Sequence, residues 1–121
     1  MTKDDYQAHV LLFKVLSNEV RLKLIEALRS GEKSVGELCE KIKEEQTRVS
    51  HELRCLVVCG FADYRREGKR IIYSLNKKTV LPILEAADRH VEKFGDRMKG
   101  CDMVSEAKKM VVVHELAAAT V

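Results

Sequence analysis

A mainly α fold with a small β-hairpin is what this sequence predicts, on three observations. Helix-forming residues (Leu, Ala, Glu, Lys, Arg) dominate a chain of 121 residues in which Pro occurs once and Gly six times. Apolar residues recur at three- and four-residue steps over most of its length. Around Glu67-Gly68-Lys69, two short strand-like runs meet across a turn signal. The length is that of one domain, with room for one modest core and none for a second catalytic domain. A balance of 45% apolar and 34% charged residues is that of a globular chain rather than a disordered one.

The elements follow in order. A first helix is predicted over Asp4 to Leu16. Ser17-Asn18 breaks it and caps a second over Glu19 to Arg29, where Val20, Leu24, Ala27 and Leu28 make one apolar stripe. Gly31 is its stop signal. Ser34-Val35-Gly36-Glu37 matches a capping box, so a short third helix begins at Val35. Lys43 to Glu45 separate it from a fourth helix over Gln46 to Cys59, stopped by Gly60, with the stripe Val49, Leu53, Leu56 and Val57. Phe61 to Arg66 and Arg70 to Leu75 read as the paired strands. Asn76 or Thr79 caps a last long helix, with Pro82 tolerated in its first turn. There Val80, Leu84, Ala87, Val91, Phe94 and Met98 form a seam, which is either core or the face for a partner helix. Residues 1–101 are expected to form one domain and 102–121 a tail, with Val111 to Val121 a frayed helix or disorder. His9 and His114 are lone histidines expected in solvent.

Helix, helix, short helix, turn, helix and basic hairpin is the order of a winged helix-turn-helix. In that unit the second helix of the pair enters the major groove, and its outward N-terminal side chains meet base edges. Those are Gln46, Thr47, Arg48, Ser50, His51 and Arg54. Gln and Arg suit bidentate contacts to adenine and guanine, and Ser and Thr reach bases or phosphate. Arg65, Arg66, Lys69 and Arg70 on the hairpin suit phosphate or the minor groove. Charge agrees: the net charge is +3, and residues 46–70 hold six basic against three acidic side chains while the rest of the chain sums to zero. Double-stranded operator DNA is the expected partner. No nucleophile–base pairing, glycine-rich phosphate loop or catalytic carboxylate pair stands out, so no enzyme is expected. No run of 18 apolar residues exists to span a membrane, and Met1 to Gln7 lacks the apolar core of a signal peptide. A cytoplasmic location is therefore expected, with the four cysteines as reduced thiols that are ligands or sensors.

The runs Leu16-Ser17-Asn18-Glu19-Val20-Arg21-Leu22-Lys23-Leu24-Ile25, Ser34-Val35-Gly36-Glu37-Leu38, Val49-Ser50-His51-Glu52-Leu53, Gly60-Phe61-Ala62 and Tyr73-Ser74-Leu75 together resemble the ArsR/SmtB repressors over roughly residues 6 to 100. The resemblance implies a homodimeric winged-helix repressor, dimerising through its first and last helices, whose DNA affinity falls when an inducer binds.

Cys55 and Cys59 lie four apart on the fourth helix, hence on one face. They sit roughly 100–140° around the helix from its apolar cluster, which fits poorly with a role as small core residues. Soft thiolates favour thiophilic ions, and a third sulfur is wanted to close a site. The pattern Cys55, Cys59 and Cys101 is similar to that of the family's cadmium- and lead-sensing members, which implies these three as metal ligands, Cys101 coming from the other subunit. Cadmium or lead is then the favoured inducer, with zinc or arsenite as alternatives. The zinc-sensing pattern is incomplete: Asp88-Arg89-His90 is present, but the positions eleven and fourteen beyond His90 hold Cys101 and Val104. Arsenic-sensing members carry Cys-x-Cys in the third helix, where this chain has Cys39 alone. Cys39 is expected as a small buried residue. Its functional alternative is a thiol redox or persulfide switch with Cys101. A winged-helix interaction module without an inducer is the remaining alternative.

Overall fold

The computed structural model describes residues 1–104; the predicted tail segment Val111 to Val121 and His114 lie outside the described residues. Helix α1 spans Lys3–Leu16, α2 Glu19–Arg29, α3 Val35–Ile42, α4 Gln46–Val58 and α5 Lys77–Lys99, with strands β1 at Lys33–Ser34, β2 at Ala62–Glu67 and β3 at Arg70–Leu75. The chain divides into two compact units, Met1–Pro82 and Ile83–Val121.

Within the first unit, local chemistry sets the element boundaries. Thr2 caps α1 and Ser34 caps α3, each in a complete capping box, with Asp5 and Glu37 reaching back to the cap N–H. Asn18 Oδ1 accepts from the Arg21 N–H and starts α2. Lys43, left-handed at φ 57°, closes α3 and turns the chain into α4. Gly60, at φ 81°, ends the following stretch where a side chain would be strained. Helix α2 packs on both α3 and α4, and these two on each other. Leu24, Ile25, Leu28, Leu38, Val49, Leu53 and Leu56 are all less than 2% exposed and make the centre of the core. Each such side chain contributes roughly 1.5–3 kcal/mol relative to exposure.

The hairpin turn is Gly68-Lys69, flanked by the Glu67–Arg70 pair. Gly68 takes φ 64° while Lys69 stays out of the left-handed region, the pattern of a type II′ turn. The sheet has a third strand that sequence patterning does not indicate: β1 pairs antiparallel with β3, Lys33 opposite Tyr73 and Ser34 opposite Ile72. Two residues are too short to carry an alternating pattern. Arg70-Ile71-Ile72 thus runs between the wing's outer strand and the entry to α3.

The end of α4 and the place of Pro82 differ from expectation, and of the two positions predicted to open α5 it is Asn76 that precedes the helix. Helix α4 ends at Val58, with Cys59 as its cap. Helix α5 starts at Lys77, so Thr79 is inside it, and the Asn76 side chain donates to the Gly60 carbonyl at 3.0 Å. Pro82 consequently sits beyond the first turn, where its missing N–H leaves the Lys78 carbonyl without its helical donor. Along the predicted seam, Val80 and Leu84 are buried, while Val91 is 55% exposed and Met98 36%. Helix α1 likewise leaves Tyr6, Val10, Leu11 and Phe13 exposed. Among the described residues, no helix is long and apolar enough to cross a membrane.

Candidate nucleic-acid interface and its thiols

Helix α4 turns Val49, Leu53 and Leu56 into the core, which fixes its rotation about its own axis. The opposite faces carry Gln46, Thr47, Arg48, Ser50, His51 and Arg54, all exposed as a base-reading row requires. The apolar stripe predicted here is corrected in one member. Val57 is only half-buried, and the fourth buried residue of α4 is Glu52, 5% exposed. Glu52 stands three residues after Val49 and four before Leu56, so helical register alone puts it on the core face. That spacing was the signal available in the sequence, and an acidic residue there calls for a buried partner.

The partner is Arg21 of α2. Its Nη1 donates to Glu52 Oε1 at 2.9 Å, its Nε to the Val15 carbonyl at 2.7 Å and its Nη2 to the Lys14 carbonyl at 3.0 Å. One guanidinium therefore ties the last turn of α1 to α4. The second Glu52 oxygen lies 3.4 Å from Arg48 Nε, one turn back on the exposed face.

On the wing, Arg65, Arg66, Lys69 and Arg70 are all exposed, but they are not equivalent. Arg65 uses Nη1 on Glu67 at 2.6 Å and Nη2 on Glu32 at 2.7 Å. Its hydrogen bonds to Glu67 and then to Glu32 hold its pKa above the ordinary arginine value, and the same Arg65 bond lowers that of Glu67. Arg70 Nη2 meets Glu37 Oε1 at 3.0 Å. Glu37 is held below the usual carboxylate range first by the Ser34 N–H and side chain, and less by Arg70. Among the described residues, Arg66 and Lys69 have no ion-pair partner. Lys69 and Arg70 share with Gln46, Ser34 and Gly36 an open groove of ≈ 360 Å³, so the turn end of the wing and the starts of α3 and α4 converge on one surface.

The thiols fall into separate groups. Cys55 is half-buried and Cys59 exposed, one turn apart, and the Cys59 N–H donates to the Cys55 carbonyl at 3.0 Å. Burial pushes the Cys55 thiol pKa up; Arg21 opposes this, while Cys59 and Glu52 add to it. Cys101 is half-buried just past α5, its N–H on the Met98 carbonyl at 3.1 Å, and lines an open groove with His90, Phe94, Arg97 and Met98. Cys39 is half-exposed rather than buried, because its neighbour Leu38 takes the core position of α3 at 0% exposure. Asp88 and His90 are exposed, His90 lying 4.9 Å from the Phe94 ring. His9 is exposed, with Nδ1 2.7 Å from the Asp5 carbonyl. Among the described residues of one chain, no three His, Cys, Asp or Glu side chains gather closely enough to hold a metal. The Cys55–Cys59 pair is thus a two-sulfur donor set, chemically suited to a thiophilic ion and needing further ligands.

Comparison with known proteins agrees with this architecture. Residues 18–64 match the family model described as bacterial regulatory protein, arsR family. The chain is 37% identical over 75 residues to the probable mercury resistance operon repressor of Streptomyces lividans, covering 62% of this chain and 60% of that protein. It is 38% identical over 80 residues to the cadmium resistance transcriptional regulatory protein CadC homolog of Staphylococcus aureus, covering 65% and 66%. The match thus spans less than two thirds of either curated relative. Among solved structures, that of the AntR antimony-specific transcriptional repressor superposes with a TM-score of 0.68 at 32% identity, covering 78% of this chain and 86% of that one.

Proposed function

The chain belongs to the arsR family of bacterial regulatory proteins, which are DNA-binding regulators and not enzymes, and from that premise we propose that it is a dimeric transcriptional repressor released from its operator by a thiophilic metal ion. The observation that carries the reading is the sharing of one helix. The 13 residues of α4 bear the exposed row from Gln46 to Arg54 and, at the other end, Cys55, with Cys59 as the cap that closes the helix one turn on. A constraint on those thiols acts on the same element that meets DNA.

In the operator-bound state, two copies of α4 would enter successive major grooves about 34 Å apart, with the wings on the flanking backbone. Cys55 and Cys59 of one subunit, with the partner subunit's Cys101, would hold the ion. A bound ion would supply a cross-link between thiolates. The chain's own part is to give up the thiol protons and to couple the end of α4 to the region following α5. A coupling of about 1–3 kcal/mol lowers DNA affinity by five- to 150-fold. Three sulfurs favour cadmium or lead, while zinc prefers a fourth ligand and arsenite is a further candidate. Relatives named for mercury, cadmium and antimony support a metal inducer as a class.

A redox or persulfide switch through Cys39 and Cys101 is the second reading, favoured by the partial exposure of both thiols. The test is a titration of the reduced protein, bound to the duplex it enriches from a randomised DNA library, with cadmium, lead, zinc and arsenite. Release by one of these ions is expected. Retention with every ion, together with release by oxidant or polysulfide, favours the redox reading. Retention under both treatments leaves a module without an inducer.

A further inference from the structure

Glu52 is a buried carboxylate that neither DNA contact nor metal binding uses. A carboxylate 5% exposed is costly to bury unless its oxygens are engaged. Oε1 is held by Arg21 Nη1 at 2.9 Å, and Arg21 is itself pinned by the Val15 and Lys14 carbonyls at 2.7 and 3.0 Å. With its guanidinium bound at three points, Arg21 makes Glu52 a fixed anchor. Oε2 then faces Arg48 at 3.4 Å, and the atom it meets is Nε.

The choice of nitrogen matters. A guanine is read by two parallel N–H donors reaching O6 and N7, the geometry of a planar guanidinium. Arg65 has both terminal nitrogens on carboxylates, and Arg70 has one. Arg48 meets Glu52 through Nε in a 3.4 Å ion pair, on a side chain half exposed on the reading face, and among the described residues its terminal nitrogens donate no hydrogen bond to a carboxylate. Without that hold, a long side chain on a helix surface must lose its rotamer freedom when it meets the base.

We infer that Glu52 is a positioning residue for sequence reading: anchored by Arg21, it holds Arg48 through Nε and leaves the guanidinium fork aimed outward for a guanine. This rests on the reading of Arg48 as a base contact. Glu52 itself touches no DNA, so its effect belongs to discrimination and not to general affinity for phosphate.

The experiment uses the full chain, the library-enriched duplex and poly(dI-dC) as the sequence-neutral competitor. Glu52→Gln should lower the ratio of the two affinities about tenfold and leave the salt dependence on poly(dI-dC) unchanged. Partial unfolding reduces both affinities by the same factor and cannot move the ratio. In an Arg48→Ala background, Glu52→Gln should cause no further loss. If Glu52→Gln does not fold, Arg21→Met with Glu52→Leu removes both buried charges together and should give the same loss of ratio. An unchanged ratio in a folded Glu52 variant, or an equal loss with and without Arg48, overturns the inference. Should Arg48→Ala leave the ratio intact, the base-reading role of Arg48 falls, and this inference with it. Should Arg48→Ala lower the ratio while Glu52→Gln does not, only the positioning role falls.

Discussion

Arg21 and Glu52, 31 residues apart in sequence, form a 2.9 Å ion pair that joins α2 to the buried face of α4. The same guanidinium also donates to two carbonyls at the end of α1, so three helices meet on one side chain. Removing one member strands the other. Glu52→Ala leaves Arg21, whose side chain is 17% exposed, without its counter-charge, and Arg21→Ala leaves a buried carboxylate. Each should destabilise by about 3 kcal/mol, while replacing both with apolar residues of similar volume should cost far less. Urea unfolding of the two single variants and the double variant measures this as a coupling energy; simple additivity would show that the pair is not a unit.

The wing carries four basic residues, and their carboxylate partners rank them. DNA phosphate must displace Glu32 and Glu67 from Arg65, and Glu37 from Arg70. Arg66 and Lys69 have no such competitor among the described residues. Arg66→Ala and Lys69→Ala should each reduce the slope of log affinity against log salt by about 1, alike for all sequences, and Arg65→Ala by roughly half of that or less. Binding measured between 50 mM and 200 mM salt, about the range over which such contacts are lost, decides this. A larger effect at Arg65 than at Arg66 would mean that the carboxylates yield freely.

The repeating features of the fold were legible from residue patterns. Caps at Asn18 and Ser34, the stripe of α2, Val49, Leu53 and Leu56 in that of α4, and the Gly68-Lys69 turn follow from local chemistry. The exposed row from Gln46 to Arg54 followed from the same register. What escaped was set by pairing across the fold. The two-residue strand β1 exists only because β3 lies beside it. Register puts Glu52 on the core face of α4, but the partner that lets it stay there, Arg21, comes from another helix 31 residues away. Cys39 reads as a core residue until Leu38 claims the pocket. The carboxylates that engage Arg65 come from two separate segments, so charge counting overstated the free positive charge of the wing.

Exposed apolar side chains on two helices predict self-association. Tyr6, Val10, Leu11 and Phe13 on α1 and Val91 on α5 are each more than half exposed. Such surfaces are rare on a monomer unless a partner covers them. Phe13→Asp and Val91→Asp should each shift the protein toward monomer and weaken binding to a two-half-site duplex far more than to a single half-site. Light scattering after size exclusion measures the first effect. An unmodified protein that is monodisperse and monomeric at micromolar concentration would rule out the dimeric reading.

The thiols give the most discriminating prediction, because pH and mutation act on it independently. Burial raises the Cys55 pKa above its ordinary value of 9.0, so at neutral pH the group carries its proton and must lose it to bind a metal. The sign follows directly. Metal binding releases protons, and apparent affinity rises with pH by about tenfold per unit for each proton displaced. For Cys55 that rise continues above the ordinary thiol range, because its pKa is shifted upward. Cadmium should therefore produce a sulfur-to-metal ultraviolet band that strengthens from pH 6 to pH 8, with up to about three protons released per ion, one from each thiol of the site. Ser at 55, 59 or 101 should each weaken the band and keep the repressor on DNA in the presence of cadmium. Ser at 39 should alter neither. The redox reading predicts a different pattern, with oxidant releasing DNA, Ser at 39 or 101 blocking release, and Ser at 55 or 59 leaving it intact. A pH-independent cadmium affinity with full release in the Cys55→Ser variant would remove Cys55 from the metal site, whatever ion the other thiols bind.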